Sequence, residues 1–320
     1  MTSAAGLLIG VGADRLFGDP RRLHPVAGFG QLAGALEKAT YADSKRAGIF
    51  HVAALVGGVV VGAAMLERAA KPAWARTCLV ALGTWSVLGG RSLEREARTI
   101  SSQLQAGDLP AARIQVTHLV GRDTKELDAA EITRATCESV AENTADAVVA
   151  PLLWGAVAGL PGLLGYRVIN TLDAMIGHRS ARYSNFGWAA ARLDDVANLL
   201  PARLGVLVIA GCAPMVGGSA KEAVRAALRD GPGHPSPNAG LVEAAFAGAL
   251  GRTFGGVNVY DGHTENRGRL GTGPEPDVAD ISRTATLAAA VGVASAGLAA
   301  ALSAVLATVL SASVAARKAR

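Results

Sequence analysis

The sequence predicts an all-α, polytopic integral membrane protein with helical cytoplasmic inserts. Half of its 320 residues are hydrophobic and its mean hydropathy is +0.31, yet only 18% are charged, below the roughly 25% typical of a soluble domain. Several uncharged runs are also long enough to cross the hydrocarbon core of a bilayer, which takes about 20 mainly apolar residues. Aromatic residues make up only 4% of the chain, so we expect Ala/Gly-packed helices and not a Leu/Phe-packed globule. We expect residues 1–320 to form a single membrane-embedded domain.

Three uncharged runs reach the length of a membrane span and three fall short of it. The three long runs are 47–66, 147–166 and 284–316, and the three shorter runs are 1–13, 77–90 and 204–220. The first run of the chain has no basic residue ahead of it and is followed at once by Asp14 and Arg15, which indicates a retained helix and not a cleaved signal. Glycines four residues apart predict close helix contacts. These pairs are Gly6 with Gly10, Gly58 with Gly62, and Gly155 with Gly159.

The distribution of Lys and Arg places three loops in the cytoplasm: residues 14–46, 91–146 and 221–283. The last two are the predicted cytoplasmic inserts. The Arg-rich segment 167–203 would be exported if 147–166 were a simple span. Because Pro and Gly residues interrupt that run, a broken or re-entrant helix is the alternative.

Local signals within the inserts predict their elements. Asp123 and Glu126 have the spacing of a capping box, which predicts the start of the helix that leads to Glu138. A polar, Gly-rich stretch over residues 255–276 is predicted to be irregular, and such long connections are usually functional or disordered.

Carboxylates recur every four residues at Glu138, Glu142 and Asp146, with Asn143 beside them. On an α-helix this spacing stacks them along one face. Like charges in that arrangement repel each other, so we expect a cation to compensate them.

Two further polar clusters follow the central apolar run, and both combine Arg with oxygen donors. Ionisable residues beside membrane spans are functional candidates, because burying them unpaired is costly. Oxygen ligands of this kind suit Mg²⁺, whereas the alternative is a set of solvated helix faces and salt bridges. The clusters are Asn170, Asp173, His178, Arg179 and Arg182, then Arg192, Asp194, Asp195 and Asn198.

Several familiar sites are absent from the sequence. It contains no phosphate-binding G-x-x-x-x-G-K-[ST] loop, no G-x-G-x-x-G after a strand, no G-x-S-x-G elbow and no H-E-x-x-H. Its three cysteines have no paired spacing, so neither a disulfide framework nor a zinc site is indicated. No basic patch interleaved with aromatic residues appears, so we expect no nucleic-acid partner.

Long ordered blocks of this sequence resemble the CobD/CbiB family, the adenosylcobinamide-phosphate synthases of cobalamin biosynthesis. The resemblance implies a multi-pass enzyme of the inner membrane. Such enzymes join the free propionate carboxyl of adenosylcobyric acid to (R)-1-aminopropan-2-ol or its O-phosphate. The matching blocks are GDPRRLHPV at 18–26, ESVAENTADAVVAPLLW at 138–154, YRVINTLDAMIGHRSARYSNFGWAAARLDDVANLLPARL at 166–204 and HPSPNAGLVEAAFAGALG at 234–251.

With these substrates in view, roles can be assigned to the polar residues. We expect Glu138, Glu142 and Asp173 to be catalytic, with Glu138 or Asp173 taking the amine proton and Glu142 also able to hold Mg²⁺. The expected metal ligands are Asp146, Asp194 and Asp195. The expected substrate-binding residues are Asp19, His24, Asn143, Arg167, Asn170, Arg179, Arg192, His234 and Asn238.

The same reading implies co-substrates and partners. An amide does not form readily from a carboxylate and an ammonium group in water, so we expect ATP as co-substrate with Mg²⁺, and the corrinoid as substrate and not cofactor. Membrane lipid and other late corrin-pathway enzymes are the expected partners, and the active site is expected on the cytoplasmic side. The alternatives are a Mg²⁺-dependent membrane prenyltransferase, which would use Asn170, Asp173, Asp194 and Asp195, and a membrane transporter or scaffold.

Overall fold

Helices dominate the computed structural model, which describes residues 2–19, 24–121, 123–178, 180–260 and 263–318. The chain divides into two compact units. The first comprises Met1–Leu88, Ala150–Ala197 and Ser295–Arg320, and the second Gly89–Val149 and Asn198–Ala294. Both predicted inserts fall within the second unit. The helices are α1 (Thr2–Phe17), α2 (Pro25–Thr40), α3 (Lys45–Ala69), α4 (Ala73–Val87), α5 (Gly90–Gln105), α6 (Leu109–Val116), α7 (Ala129–Thr144), α8 (Ala150–Leu172), α9 (Trp188–Cys212), α10 (Ala220–Asp230), α11 (Ala239–Leu250) and α12 (Val278–Lys318).

Four helical segments within the described ranges are long and apolar enough to cross a membrane, which confirms an all-α polytopic membrane protein. The predicted run 147–166 lies inside the longest of them, a 49-residue segment in which one π-helical turn joins α7 to α8 and a second follows α8. The segments are Lys45–Ala69, Ala129–Gly177, Trp188–Val216 and Val278–Ser313.

Helix α8 is broken at Gly159, which corresponds to the alternative that the sequence left open for this run. Gly159 has φ 63° and ψ −147°, a backbone conformation essentially restricted to glycine. The break releases backbone N–H groups that a regular helix would pair, and the N–H of Leu160 donates instead to Oε2 of Glu67 at 3.2 Å. Pro161 follows in the first turn of the second half, where its missing N–H costs nothing. The carboxylate at the end of α3 therefore caps the second half of α8.

Glycine contacts hold α1 against its neighbours. A Cβ atom on Gly6 would lie 2.7 Å from Cβ of Val80 on α4, and one on Gly10 would collide with Thr84. A Cβ atom on Gly155 would lie 2.9 Å from Leu7 on α1. The close helix contacts predicted for these glycines are confirmed.

The Gly58/Gly62 pair is different. Added Cβ atoms there would meet no described atom within 4 Å, so the predicted contact is wrong within the part of the chain that the structure describes.

The second unit has its own apolar core, built from alanine and larger aliphatic side chains of α5–α7 and α9–α12 together with Phe246, Phe254 and Leu270. Its capping box lies five residues later than predicted. Asp128 accepts from the N–H of Glu131 at 2.8 Å, and the side chain of Glu131 accepts from the N–H of Asp128 at 2.9 Å. Asp123 instead closes a turn by accepting from the N–H of Lys125 at 3.1 Å. The predicted type of cap is present, but its position was wrong, because an acidic residue in a turn has the same sequence signature as one at the start of a helix.

The Gly-rich stretch predicted to be irregular is largely an antiparallel hairpin, which corrects that prediction. Strands β1 (Thr253–Tyr260) and β2 (His263–Gly271) pair with Phe254 opposite Leu270, and both of these side chains are buried. A register irregularity between Gly255 and Val257 accommodates the glycine pair, because Gly255 has φ 84°. Glycine and polar residues have low strand propensity, so the hairpin depends on this packing and not on local preference.

We predict that Gly159→Ala lowers the thermal unfolding midpoint of the protein in detergent micelles. The alanine would force a side chain into a conformation that costs about 1–3 kcal/mol and would press its Cβ against the carboxylate of Glu67, 2.9 Å away. The matched control is Gly58→Ala, which lies in an open stretch of regular helix. It should be neutral or stabilise by about 0.5–1 kcal/mol. Equal midpoints for the two variants would contradict the break.

Candidate functional site

The predicted site residues fall into one set in each unit, and each set is described by itself. A single site built from both sets stays a prediction. Arg179 lies outside the described residues. The set of the first unit is Asp19, His24, Arg167, Asn170, Asp173, Arg192, Asp194 and Asp195; that of the second is Glu138, Glu142, Asn143, Asp146, His234 and Asn238.

Glu138 on α7 is buried and bonded to the hairpin. Its Oε1 accepts from the backbone N–H of Gly255 at 2.7 Å and lies 3.5 Å from Nη1 of Arg134. The same guanidinium donates to the carbonyl oxygen of Gly255. Glu138 and Arg134 thus fasten the start of β1 to α7. Only 4% of Glu138 is exposed, so its carboxylate is engaged in structure, and its catalytic role stays a prediction.

Glu142, Asn143 and Asp146 are half-buried near the end of α7. Asn143 donates from Nδ2 to the carbonyl oxygen of Ser139 at 2.8 Å. Asp146 does not continue the α-helical row, because α7 gives way to a π-helical turn over Ala145–Val149. The expected stack of three carboxylates is therefore wrong beyond Glu142. π-helical turns occur often at functional sites.

Asp173 opens a second π-helical turn, over Asp173–Gly177 at the end of α8. A Cβ atom on Gly177 would collide with Oδ1 of Asp173, so the bare glycine leaves room for the carboxylate. Asn170 lies one turn before Asp173 and Arg167 two turns before it, and Nη1 of Arg167 donates to Oδ1 of Asn170 at 3.4 Å. The structure thus brings the predicted residues of this segment together along the end of one helix.

The loop after this turn is fastened by Glu37 of α2, a residue that sequence reasoning missed. Arg182 donates from Nη2 and Nε to Oε1 of Glu37 at 2.8 and 3.2 Å, and the Tyr183 hydroxyl donates to the same oxygen at 3.1 Å. The bond to Glu37 is the main cause that raises the pKa of Arg182. The guanidinium also lies 4.0 Å from the centre of the Tyr41 ring. A lone acidic residue in the apolar sequence GALEKAT was the available signal.

Arg192 and Asp195 of α9 pair with each other. Nη1 of Arg192 lies 3.3 Å from Oδ2 of Asp195, and Asp194 beside them is half-buried. No group of three or more His, Cys, Asp or Glu among the described residues is placed to hold a metal ion. Mg²⁺ needs only one or two protein carboxylates when phosphate oxygens and waters complete its shell. Asp194 and Asp195 are compatible with such a site, and their metal role stays a prediction.

Asp19 and His24 lie close together at the start of α2. Nε2 of His24 is 3.8 Å from Oδ2 of Asp19. Nδ1 of His24 accepts from the N–H of Val26 at 3.2 Å and so caps the helix that begins at Pro25. The cap fixes the imidazole with Nε2 toward Asp19, and both side chains stay partly exposed.

His234 lies buried in the second unit beside two residues that sequence reasoning missed, Glu243 and Arg267. Nε2 of His234 and Nη1 of Arg267 each lie 3.8 Å from Oε1 of Glu243, which is fully buried on α11. Nδ1 of His234 accepts from the N–H of Ser236 at 3.1 Å. Burial, with the positive charge of Arg267, lowers the pKa of His234 to about 4. The ring is therefore neutral at neutral pH.

Asn238 lies in the same loop as His234 and is also buried. Its Oδ1 accepts from Nη1 of Arg203 at 3.3 Å, which connects the loop to α9 within the second unit. The predicted pair His234 and Asn238 is thus brought together by one ordered turn, and its substrate-binding role stays a prediction.

Comparison with known proteins identifies relatives along nearly the whole chain. A family model described as CobD/Cbib protein matches residues 7–288. "Cobalamin biosynthesis protein CobD" of Mycobacterium tuberculosis (strain ATCC 25618 / H37Rv) is 52% identical over 298 residues, covering 93% of this chain and 95% of the relative. The proteins of that name from Geobacter metallireducens (44% over 283 residues; 86% and 89% covered) and Rhodobacter capsulatus (41% over 292 residues; 88% and 92%) are also similar. No solved structure matches the chain.

We predict that Glu138→Ala loosens the hairpin. The variant removes the buried acceptor of the Gly255 N–H and leaves Arg134 without its i+4 partner. Loss of a hydrogen bond to a charged group costs about 1.5–3 kcal/mol, so amide hydrogen exchange over Thr253–Tyr260 should accelerate by about 10- to 100-fold. Glu142→Ala, one turn further along α7, is the control and should leave that exchange unchanged. Unchanged exchange in Glu138→Ala would contradict the anchor.

We predict that the His234 environment makes stability depend on pH. Between about pH 4 and pH 6.5, His234 is protonated in the unfolded chain but neutral in the folded chain, because folding lowers its pKa from 6.5 to about 4. Stability is therefore complete above pH 6.5 and falls as the pH drops through this window, by about 3 kcal/mol at most.

The matched variant is His234→Asn, whose Oδ1 can still accept from the N–H of Ser236 but does not titrate. Unfolding midpoints measured between pH 6.5 and pH 4 should fall more steeply for the native chain than for this variant. Equal slopes would show that His234 is not held neutral.

Proposed function

We propose a reaction for this chain on one premise: the chain belongs to the CobD/CbiB family. It is a membrane protein with a biosynthetic role in the cobalamin pathway. We propose that it joins the free propionate carboxyl of adenosylcobyric acid to (R)-1-aminopropan-2-ol or its O-phosphate, forming an amide. The family match over residues 7–288 carries this proposal and favours an enzyme over a transporter or scaffold.

The chemistry requires activation of the carboxylate. ATP is the proposed source: its terminal phosphoryl group passes to the propionate oxygen, ADP leaves, the amine attacks the acyl carbon, and inorganic phosphate leaves with formation of the C–N bond. Mg²⁺, when bound, would neutralise phosphate charge. The sequence has no P-loop, so the phosphates would be bound by Arg side chains and carboxylate-held Mg²⁺.

In the first unit, Arg167 and Arg192 are the proposed binders of phosphate or propionate oxygens. Each already contacts an oxygen acceptor on its own helix, Asn170 and Asp195 respectively, which restrains its guanidinium. Asp173 is the proposed acceptor of the amine proton. It lies half-buried in a π-helical turn, so its carboxylate is held in place and is still accessible to a substrate. Asp194 and Asp195 are the proposed Mg²⁺ ligands of this unit.

In the second unit, Glu142 and Asp146 supply further proposed carboxylates for Mg²⁺, and Asn143 is a proposed substrate contact. Glu138 is the less suitable base of the two candidates, because its Oε1 is bonded to Gly255 and the residue is buried. His234 and Asn238, although buried, border the ordered turn that would contact the substrate if the loop acts as a lid. We propose a site accessible from the cytoplasm, where ATP and the corrinoid are available.

Reconstituted protein supplied with adenosylcobyric acid, aminopropanol or its phosphate, ATP and Mg²⁺ should form the amide and release ADP. Glu142→Gln and Asp194→Asn should each lower the rate by about 10- to 100-fold, as is typical when a group that supports a metal site is lost, and should shift the Mg²⁺ dependence upward. The matched control is Asp108→Asn, which keeps a capping oxygen at the start of α6 and should leave the rate unchanged. Full activity in both site variants would refute the metal assignment.

A strain lacking the gene tests the reaction in the cell. It should grow when supplied with cobinamide and fail to grow when supplied with cobyric acid. Equal growth on both would refute the amidation step, whichever residues perform it.

A further inference from the structure

Helix α10 presents an unusual outward face. Lys221, Arg225, Leu228 and Arg229 are exposed, Leu228 to 70%, and Val224 is half-buried between them. Their spacing of three and four residues places all five side chains on one side of the helix, and they line an open surface groove of about 750 Å³. We call this face the basic stripe: Lys221, Val224, Arg225, Leu228 and Arg229.

The opposite face fixes the orientation of the helix. Ala223, Ala226 and Ala227 are buried, and a Cβ atom on Gly248 of α11 would lie 2.8 Å from Cβ of Ala226. The hydroxyl oxygen of Ser219 accepts from the N–H of Glu222 at 3.3 Å and caps the helix. Small residues therefore hold α10 tightly to α11, and the basic stripe must face outward.

Chain length places the stripe near the boundary of the membrane. The candidate span Trp188–Val216 ends four residues before α10 begins at Ala220. Four extended residues reach at most about 14 Å. The connection is more compact than that, because the N–H of Gly218 donates to Ala213 at 3.0 Å and the N–H of Ser219 donates to Ala249 at 3.3 Å. The headgroup layer on each side of the hydrocarbon core is about 5–8 Å thick, so a span that leaves the core at Val216 brings the start of α10 to its depth or just outside it.

We propose that the basic stripe of α10 docks on anionic lipid headgroups. Its three cations match phosphate oxygens, and Leu228 and Val224 match the apolar boundary just beneath them, as in helices that lie on a membrane surface. A spanning face would not carry three cations, and the combination of those cations with an exposed Leu between them is the pattern of a helix on a membrane surface. A second copy of this chain would present the same positive charges, so lipid is favoured over self-association.

Two of the cations also have acidic neighbours, and this does not consume their hydrogen-bonding capacity. Arg225 donates one bond to Glu222 at 2.8 Å, and Arg229 donates two to Asp230, both at 2.6 Å. A guanidinium has five N–H donors in a rigid fork, so both side chains retain donors for a phosphate. The pairs hold the forks in place along the stripe. This proposal does not depend on the reaction proposed above.

The test places a spin label at position 228 of the full chain, in a variant whose three native cysteines are alanine, in nanodiscs with or without phosphatidylglycerol. With the anionic lipid, the L228C label should collide more with oxygen than with a water-soluble nickel reagent. Replacing Lys221, Arg225 and Arg229 by Gln, or omitting the anionic lipid, should abolish that profile. A label at Ile114, which is 69% exposed on α6, is the control and should keep an aqueous profile.

A second measurement uses the native chain, in case the cysteine-free variant does not fold. Acetylation of Lys221, followed by mass spectrometry, should slow when phosphatidylglycerol is present, whereas acetylation of the exposed Lys125 should not. An aqueous profile at position 228 with unchanged acetylation of Lys221 would overturn the proposal. Protection from both collision reagents in every lipid would also overturn it, because a protein surface would then cover the stripe.

Discussion

The bond between the Glu67 carboxylate and the backbone N–H of Leu160 is the constraint on which the first unit depends. An unsatisfied N–H group in an apolar environment costs several kcal/mol, so a helix can break within a membrane segment only where another group satisfies the freed backbone. Glu67 supplies that group from the end of α3, and Gly159 supplies the backbone freedom. This contact caps the second half of α8, which leads to Arg167, Asn170 and Asp173.

Two predicted acidic residues share an uncommon backbone environment. Asp146 and Asp173 each lie in a π-helical turn, one at either end of α8, although such turns hold well under 1% of residues in proteins. A π-helical turn contains one residue more than the α-helical pattern allows, so it rotates every later side chain away from the direction that a regular helix would give it. For Asp146 the sequence spacing had implied a continuous α-helical row with Glu138 and Glu142, which the turn over Ala145–Val149 interrupts.

The sequence predicted helices and the packing of Gly6 and Gly10, and it left a broken span open as an alternative, because hydrophobic length, small-residue spacing and proline are local signals. It could not predict that Glu67 satisfies the break, since residues 93 apart in the chain are joined there. The same limit explains the missed contacts of Glu37 with Arg182 and of Glu243 with His234 and Arg267. It also explains why the hairpin was not predicted. Its glycines and polar residues form strands because Phe254 and Leu270 are buried in the core. The sequence predicted the proximity of two residues best where both lie on the same helix.

The anchor of the hairpin has a consequence for biosynthesis. Glu138 and Gly255 are 117 residues apart, and ribosomes add about 5–20 residues per second, so the carboxylate waits about 6–23 s for its partner to be made. During that interval the carboxylate lacks the Gly255 N–H, whereas Arg134, four residues earlier on the same helix, is already made. The bond that fastens the hairpin to α7 can therefore form only after the chain between Glu138 and Gly255 has been made.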